Sequence, residues 1–102
     1  MTEAEYAPLL AQLPGWSVER DKRLVRSFRF PTYPRTIAFV NAVAAVAEEE
    51  GHHPNLSVAW GKVGVTLWTH LIDGLTDNDF ILAAKIDRIF QAEAGLPAAQ
   101  PA

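Results

Sequence analysis

Cysteine is absent from this 102-residue sequence, which excludes disulfides, thiolate metal ligands and a cysteine nucleophile and fits a reducing cytoplasm. Positive charge is scarce. Nine Lys and Arg stand against twelve Asp and Glu, for a formal net charge of -3. The clustered basic surface that neutralises phosphates is missing, so nucleic acid is not an expected partner. Apolar runs are short, and none approaches the ~20 residues that cross a bilayer, so no membrane association is expected. The opening Met1-Thr2-Glu3-Ala4-Glu5 is acidic where a secretory signal would be basic, so export is not expected and a cytoplasmic location is. The length suits one compact domain, residues 1-102, in which only shallow clefts are expected within one subunit. A deep site would need a second copy.

What is present divides cleanly into elements. Thr2 with Glu5 has capping-box spacing, and Tyr6, Leu9, Leu10 and Leu13 follow at helical intervals, which predicts a first helix ending near Leu13 before Pro14-Gly15. Trp16 to Arg20 and Arg23 to Phe30 read as a hairpin around Asp21-Lys22, with Leu24, Phe28 and Phe30 on one face. A second helix is predicted from Pro34 to Glu50, with an apolar stripe of Ile37, Val40, Val43, Ala44, Val46 and Ala47. Its Glu48-Glu49-Glu50 ending opposes the macrodipole, so another use for those carboxylates is expected beside the plain reading of a solvated end. Asn55 to Trp60 and Val63 to Thr69 read as a second hairpin around Gly61-Lys62. Thr76 and Asp79 begin a third helix, with Phe80, Ile81, Ala84, Ile89 and Phe90 as its apolar side and Gly95 as its stop. Residues 95-102 read as a frayed tail. The order helix, two strands, helix, two strands, helix predicts an α+β fold: a four-stranded antiparallel sheet with three helices packed on one face.

All three histidines fall in His52-His53 and Thr69-His70. Imidazole is the side chain that exchanges protons near neutral pH, so this gathering points to acid-base chemistry. The bland alternative is that His52 and His53 cap the carbonyls of the preceding helix. Glu48, one helical turn before His52, is expected to orient it, and Asp79 either caps the third helix or holds His53 or a substrate nitrogen, two compatible roles. A zinc site is the sharpest chemical competitor. Adjacent histidines leave the backbone in different directions and no His-x-x-x-His helix motif occurs, which disfavours it. Trp60 and Trp68 read as sheet packing.

The sequence resembles the pterin-4a-carbinolamine dehydratases. The resemblance is carried by Leu13-Pro14-Gly15-Trp16, Leu24-Val25-Arg26-Ser27-Phe28-Arg29-Phe30, the alanine- and valine-rich second helix with Glu48, His52-His53-Pro54, Thr69-His70, and Gly74-Leu75-Thr76 with Asp79. It extends from about Leu13 to Phe90. It implies the four-stranded, three-helix fold and dehydration of 4a-hydroxytetrahydropterin to quinonoid dihydropterin, the recycling step after an aromatic amino-acid hydroxylase. It further implies that no metal or organic cofactor is used, and that copies form dimers extending the sheet, often paired into tetramers. By the same resemblance His52 and His70 supply the acid-base pair, His53 positions the pterin and assists, and Glu48 and Asp79 orient imidazoles or bind the ring. Backbone groups of Thr69, Leu71 and Ile72 would read the pyrimidinone edge, and Pro54 would fix the His53 turn. Gly51 departs from the family pattern, where an acidic residue often stands, and so does Leu56, where an aromatic one is common.

Two other classes remain open at this point. The resemblance also implies that the fold could serve as a non-catalytic protein-binding module, a transcriptional dimerisation cofactor or an assembly factor, with the second helix as its contact surface. A hydrolytic metalloenzyme is the third reading. Three retained histidines favour catalysis, because a binding module has no chemical need for them.

Overall fold

The structure is a computed structural model that describes residues 1-93. The expected tail, 95-102, and the Gly95 helix stop lie outside the described residues. The elements are α1 (Glu3–Leu10), β1 (Ser17–Glu19), β2 (Arg23–Arg29), α2 (Tyr33–Glu50), β3 (Asn55–Ala59), β4 (Lys62–Leu67), a single 3-10 turn (His70–Ile72) and α3 (Asp77–Glu93). The strands form one antiparallel sheet in the order β1-β2-β4-β3, so the expected α+β architecture holds, with the second hairpin inserted by β4 against β2.

Alternation along the strands sends Leu24 and Phe28 of β2 and Val63, Val65 and Leu67 of β4 to the helix-covered face, where all are buried. The register pairs Leu24 with Leu67 and Phe28 with Val63, so large side chains meet across the strands. Phe39 of α2 packs between Phe28 and Phe30, with centroids 4.9 and 5.0 Å away, and Phe90 of α3 packs on both. Full burial of each such ring is worth roughly 2-3 kcal/mol. Arg26 lies on this same face yet remains compatible with it. Its guanidinium stacks 4.4 Å above Phe28 and pairs at 2.8 Å with Asp87, which also accepts from the Trp16 indole at 2.9 Å. Burial pushes the Asp87 carboxyl upward, and the Trp16 and Arg26 donors draw it back.

Several sequence expectations shift by small, explicable amounts. The helix α1 has the expected capping box, but it stops at Leu10 because the next amides bond three residues back, Gln12 to Leu9 and Leu13 to Leu10. The first hairpin turn has three residues where two were expected, and the second sits one residue earlier than expected. In the first, Glu19 pairs with Arg23 across the three residues Arg20-Asp21-Lys22; Arg20 and Asp21 take φ of 54° and 58°, and Lys22 N–H bonds Glu19 O at 2.9 Å. Trp60-Gly61 form the second, where a Cβ on Gly61 would lie 2.8 Å from the Phe30 carbonyl. Trp60 is therefore a turn residue, 64% exposed, rather than sheet packing. The buried stripe of α2 is Thr36, Phe39, Val43 and Ala47, with Ala44 exposed. That of α3 uses Leu82, Ala83 and Ile86, while Ile81 faces out. Both stripes are rotated about one residue, in helices that pack against each other as well as on the sheet.

Candidate active site

Two chain reversals position the site. The first is the end of α2, where Gly51 adopts φ 66°, ψ 29°, a left-handed conformation that costs glycine little. The amide of Gly51 bonds the Glu48 carbonyl at 3.2 Å and that of His52 bonds the Ala47 carbonyl at 3.1 Å, the paired bonds of a Schellman ending. This closure turns His52 inward. The second reversal is the loop after β4, where Thr69 and Gly74 bridge each other, Thr69 N–H to Gly74 O at 2.8 Å, around the 3-10 turn that begins with His70.

Asp79 joins the two. It is fully buried at the third position of α3, where a carboxylate complements the free amides and dipole of a helix start. Its Oδ2 accepts from the Thr76 amide at 2.9 Å and the Thr69 hydroxyl at 3.0 Å. Its Oδ1 lies 2.5 Å from His52 Nε2. A carboxylate accepts only, so Nε2 carries the hydrogen and Nδ1 is left to exchange a proton. The Thr69 hydroxyl spends its single proton on Asp79, so the Thr76 hydroxyl, 2.8 Å away, donates to Thr69. Both oxygens of the buried carboxylate thereby have partners, which is the condition for burying one at all.

The other candidate residues fall into distinct places. His53 Nε2 meets Glu48 Oε1 at 2.9 Å in an exposed pair. The expected pairings are thus exchanged: Glu48 orients His53 rather than His52, and Asp79 holds His52 rather than His53. One-turn spacing assumes a continuing helix, and the left-handed Gly51 ends it. Of the remaining acidic run, Glu50 pairs with Lys85 of α3 at 2.5 Å, which gives that carboxylate a use at the helix end. His70 stacks on Trp68, with centroids 4.4 Å and planes 29° apart. Leu71 and Ile72 project outward, 93% and 55% exposed, and Pro54 with Asn55, Leu56, Ser57, Gly64 and Thr66 lines an open depression of about 490 Å³. Among the described residues no three His, Asp or Glu side chains converge as a metal-binding group. Sequence reasoning missed the Thr76 hydroxyl and the stacking role of Trp68. Trp68 and His70 stand two positions apart, a spacing that puts side chains on one side of an extended chain, and this was the available signal for the latter.

The family model for pterin 4 alpha carbinolamine dehydratase matches residues 1-89. The chain belongs to that family. A relative from Xanthomonas oryzae pv. oryzae is 52% identical over 86% of this chain and 75% of its own length. One from Rubrobacter xylanophilus is 48% identical over 83% and 79%. Both are provisionally named pterin-4-alpha-carbinolamine dehydratase. Among solved structures, a transcriptional coactivator/pterin dehydratase from Brucella melitensis superimposes with a TM-score of 0.83 at 36% identity, over 87% of this chain and 96% of that one. A pterin dehydratase-like protein described as a RuBisCO assembly factor in the alpha-carboxysome gives a TM-score of 0.64 at 30% identity, over 74% and 88%.

Proposed function

We propose that this protein dehydrates 4a-hydroxytetrahydropterin to quinonoid dihydropterin and water, by acid-base exchange between the substrate and His52 and His70. The observation that carries the proposal is the buried Asp79 carboxylate, which fixes His52 and, through Thr69, the loop that bears His70. Elimination needs one proton delivered to the departing 4a-hydroxyl and one removed from N5. As the C4a–O bond breaks, the N5–H electron pair becomes the N5=C4a bond and oxygen leaves as water. Two imidazoles suffice for this, one as acid and one as base. Asp79 keeps the His52 tautomer in which Nδ1 faces the reaction, and the ring can hold a second proton beside that carboxylate. His53, oriented by Glu48, and Pro54 would position the pterin, and the backbone of Thr69, Leu71 and Ile72 would read its amide-like edge.

The proposal includes a homodimer or homotetramer, a cytoplasmic setting and a link to an aromatic amino-acid hydroxylase that supplies the substrate, with no metal or organic cofactor. Sheet extension through β3 is compatible with its place at the sheet edge. The second reading, a protein-binding module using α2, draws support from the assembly-factor neighbour. Stopped-flow absorbance of carbinolamine decay separates the two. The wild type is expected to accelerate decay, and His52→Ala and His70→Ala each to lose about 10- to 1,000-fold of that acceleration. Decay at the spontaneous rate with wild-type protein would favour the binding module, and variants equal to wild type would remove the histidine assignment alone.

A further inference from the structure

His52 and His53 are each held through a ring nitrogen, by Asp79 and Glu48. His70 is held differently. Among the described residues neither of its ring nitrogens has a hydrogen-bond partner, and its ring rests on Trp68. Trp68 continues β4 beyond Leu67, which the register places opposite Leu24, so its cross-strand neighbour is Arg23. The Arg23 guanidinium carbon lies 4.2 Å from the Trp68 ring centroid, a cation-π contact. Arg23 is itself fixed by Asp73 at 2.8 Å, and Lys22 reaches the same carboxylate at 3.2 Å. Asp73 closes the turn that His70 opens. Its amide donates to the His70 carbonyl at 3.2 Å, and its φ is 50°. Strand β2 thus grips this turn at both its indole side and its far end.

We infer that Trp68, braced by Arg23 and Asp73, is the positioning residue for His70. Stacking fixes the plane of the imidazole without occupying either nitrogen, so both remain available for proton exchange. A hydrogen bond would fix the ring but commit one of them. An otherwise exposed histidine would sample several rotamers, and productive proton transfer needs one. The inference rests on the acid-base reading of His70, so ring placement is measured apart from turnover.

The test compares Trp68→Ala, Trp68→Phe and Arg23→Met by NMR of the His70 ring protons and by carbinolamine kinetics. The indole ring current shifts those protons. In Trp68→Ala the resonances are expected to move to open-imidazole positions, with kcat down about 10-fold and KM changed less than ~2-fold. Trp68→Phe should restore the stacked shift and most of kcat. Arg23→Met, which leaves the indole in place, should give a smaller change in the same direction. Unmoved His70 resonances in Trp68→Ala would overturn the inference, and so would wild-type kcat in a Trp68→Ala protein whose resonances have moved. Should Trp68→Ala fail to fold, unmoved resonances in Arg23→Met would overturn the brace. If His70→Ala turns over like wild type, the acid-base reading falls, and the resonances alone decide whether Trp68 sets the ring.

Discussion

A single carboxylate carries three tasks at the residue scale. Asp79 begins α3, satisfies Thr69 and Thr76, and fixes the ring of His52. Asp79→Asn keeps the shape but substitutes an amide whose nitrogen can only donate. Turned toward the Thr76 amide it would meet another donor, at about 1-3 kcal/mol, so it is expected to face His52, whose Nε2 then accepts while the ring hydrogen moves to Nδ1. The expected outcome is at least a ~10-fold loss of dehydratase rate with a urea midpoint close to wild type, because the His52 ring is held in the opposite tautomer. Wild-type turnover in Asp79→Asn would show that this carboxylate does not set the tautomer. The site was half legible at this scale. The residue types and their gathering were visible, while the pairing of Glu48 with His53 and Asp79 with His52 was not, because it depends on the backbone turn at Gly51.

Element placement depends on contacts that tie loops to helices. The Tyr6 hydroxyl of α1 donates to the Asp21 carboxylate in the β1-β2 turn, and this bond, with burial, pushes the Tyr6 phenol up from 10.0 to about 12. A folded-state value above the unfolded one means that the native state keeps its proton longer. The stabilisation is complete below pH 10.0, is lost as pH rises toward about 12, and is gone above it. Tyr6→Phe is expected to be less stable than wild type at neutral pH and to lack this alkaline fall. Stability measured by urea titration from pH 9 to 12 checks it, and parallel slopes for the two proteins would exclude the bond. Helix boundaries and the turn positions lay within a residue or a few of their expected places. The exposed Ala44 and Ile81 and the buried Phe39 and Leu82 were misjudged because an apolar pattern gives a stripe's existence more firmly than its angle to the sheet.

For the whole molecule, the question is how the sheet ends. β3 is an edge strand with Val58 44% exposed, beside Trp60, and edge strands invite pairing with another chain unless charge or proline blocks them. In the proposed homo-oligomer this edge is covered by a second copy. Sedimentation equilibrium should therefore give a multiple of the 11.2 kDa chain mass, and Val58→Lys should weaken association at least ~10-fold while leaving far-UV circular dichroism intact. A monomeric wild type at micromolar concentration would remove the oligomer from the proposal. No described helix is long and apolar enough to cross a membrane, in line with the short apolar runs.

The sequence by itself determined the order of elements, the helix start at Thr2, the end of the second helix at Glu50 and the confinement of the histidines to His52-His53 and Thr69-His70, because each follows from spacing and local backbone preference. It could not determine which carboxylate meets which imidazole, nor that His70 lies on an indole braced from the neighbouring strand. Those contacts join positions 27 residues apart, as in His52 with Asp79, or 50 apart, as in Arg23 with Asp73. Local preference has no term for such separations. They were decided by the packing of α2 and α3 on the sheet and by the register of β2 against β4, which bring the two reversals together.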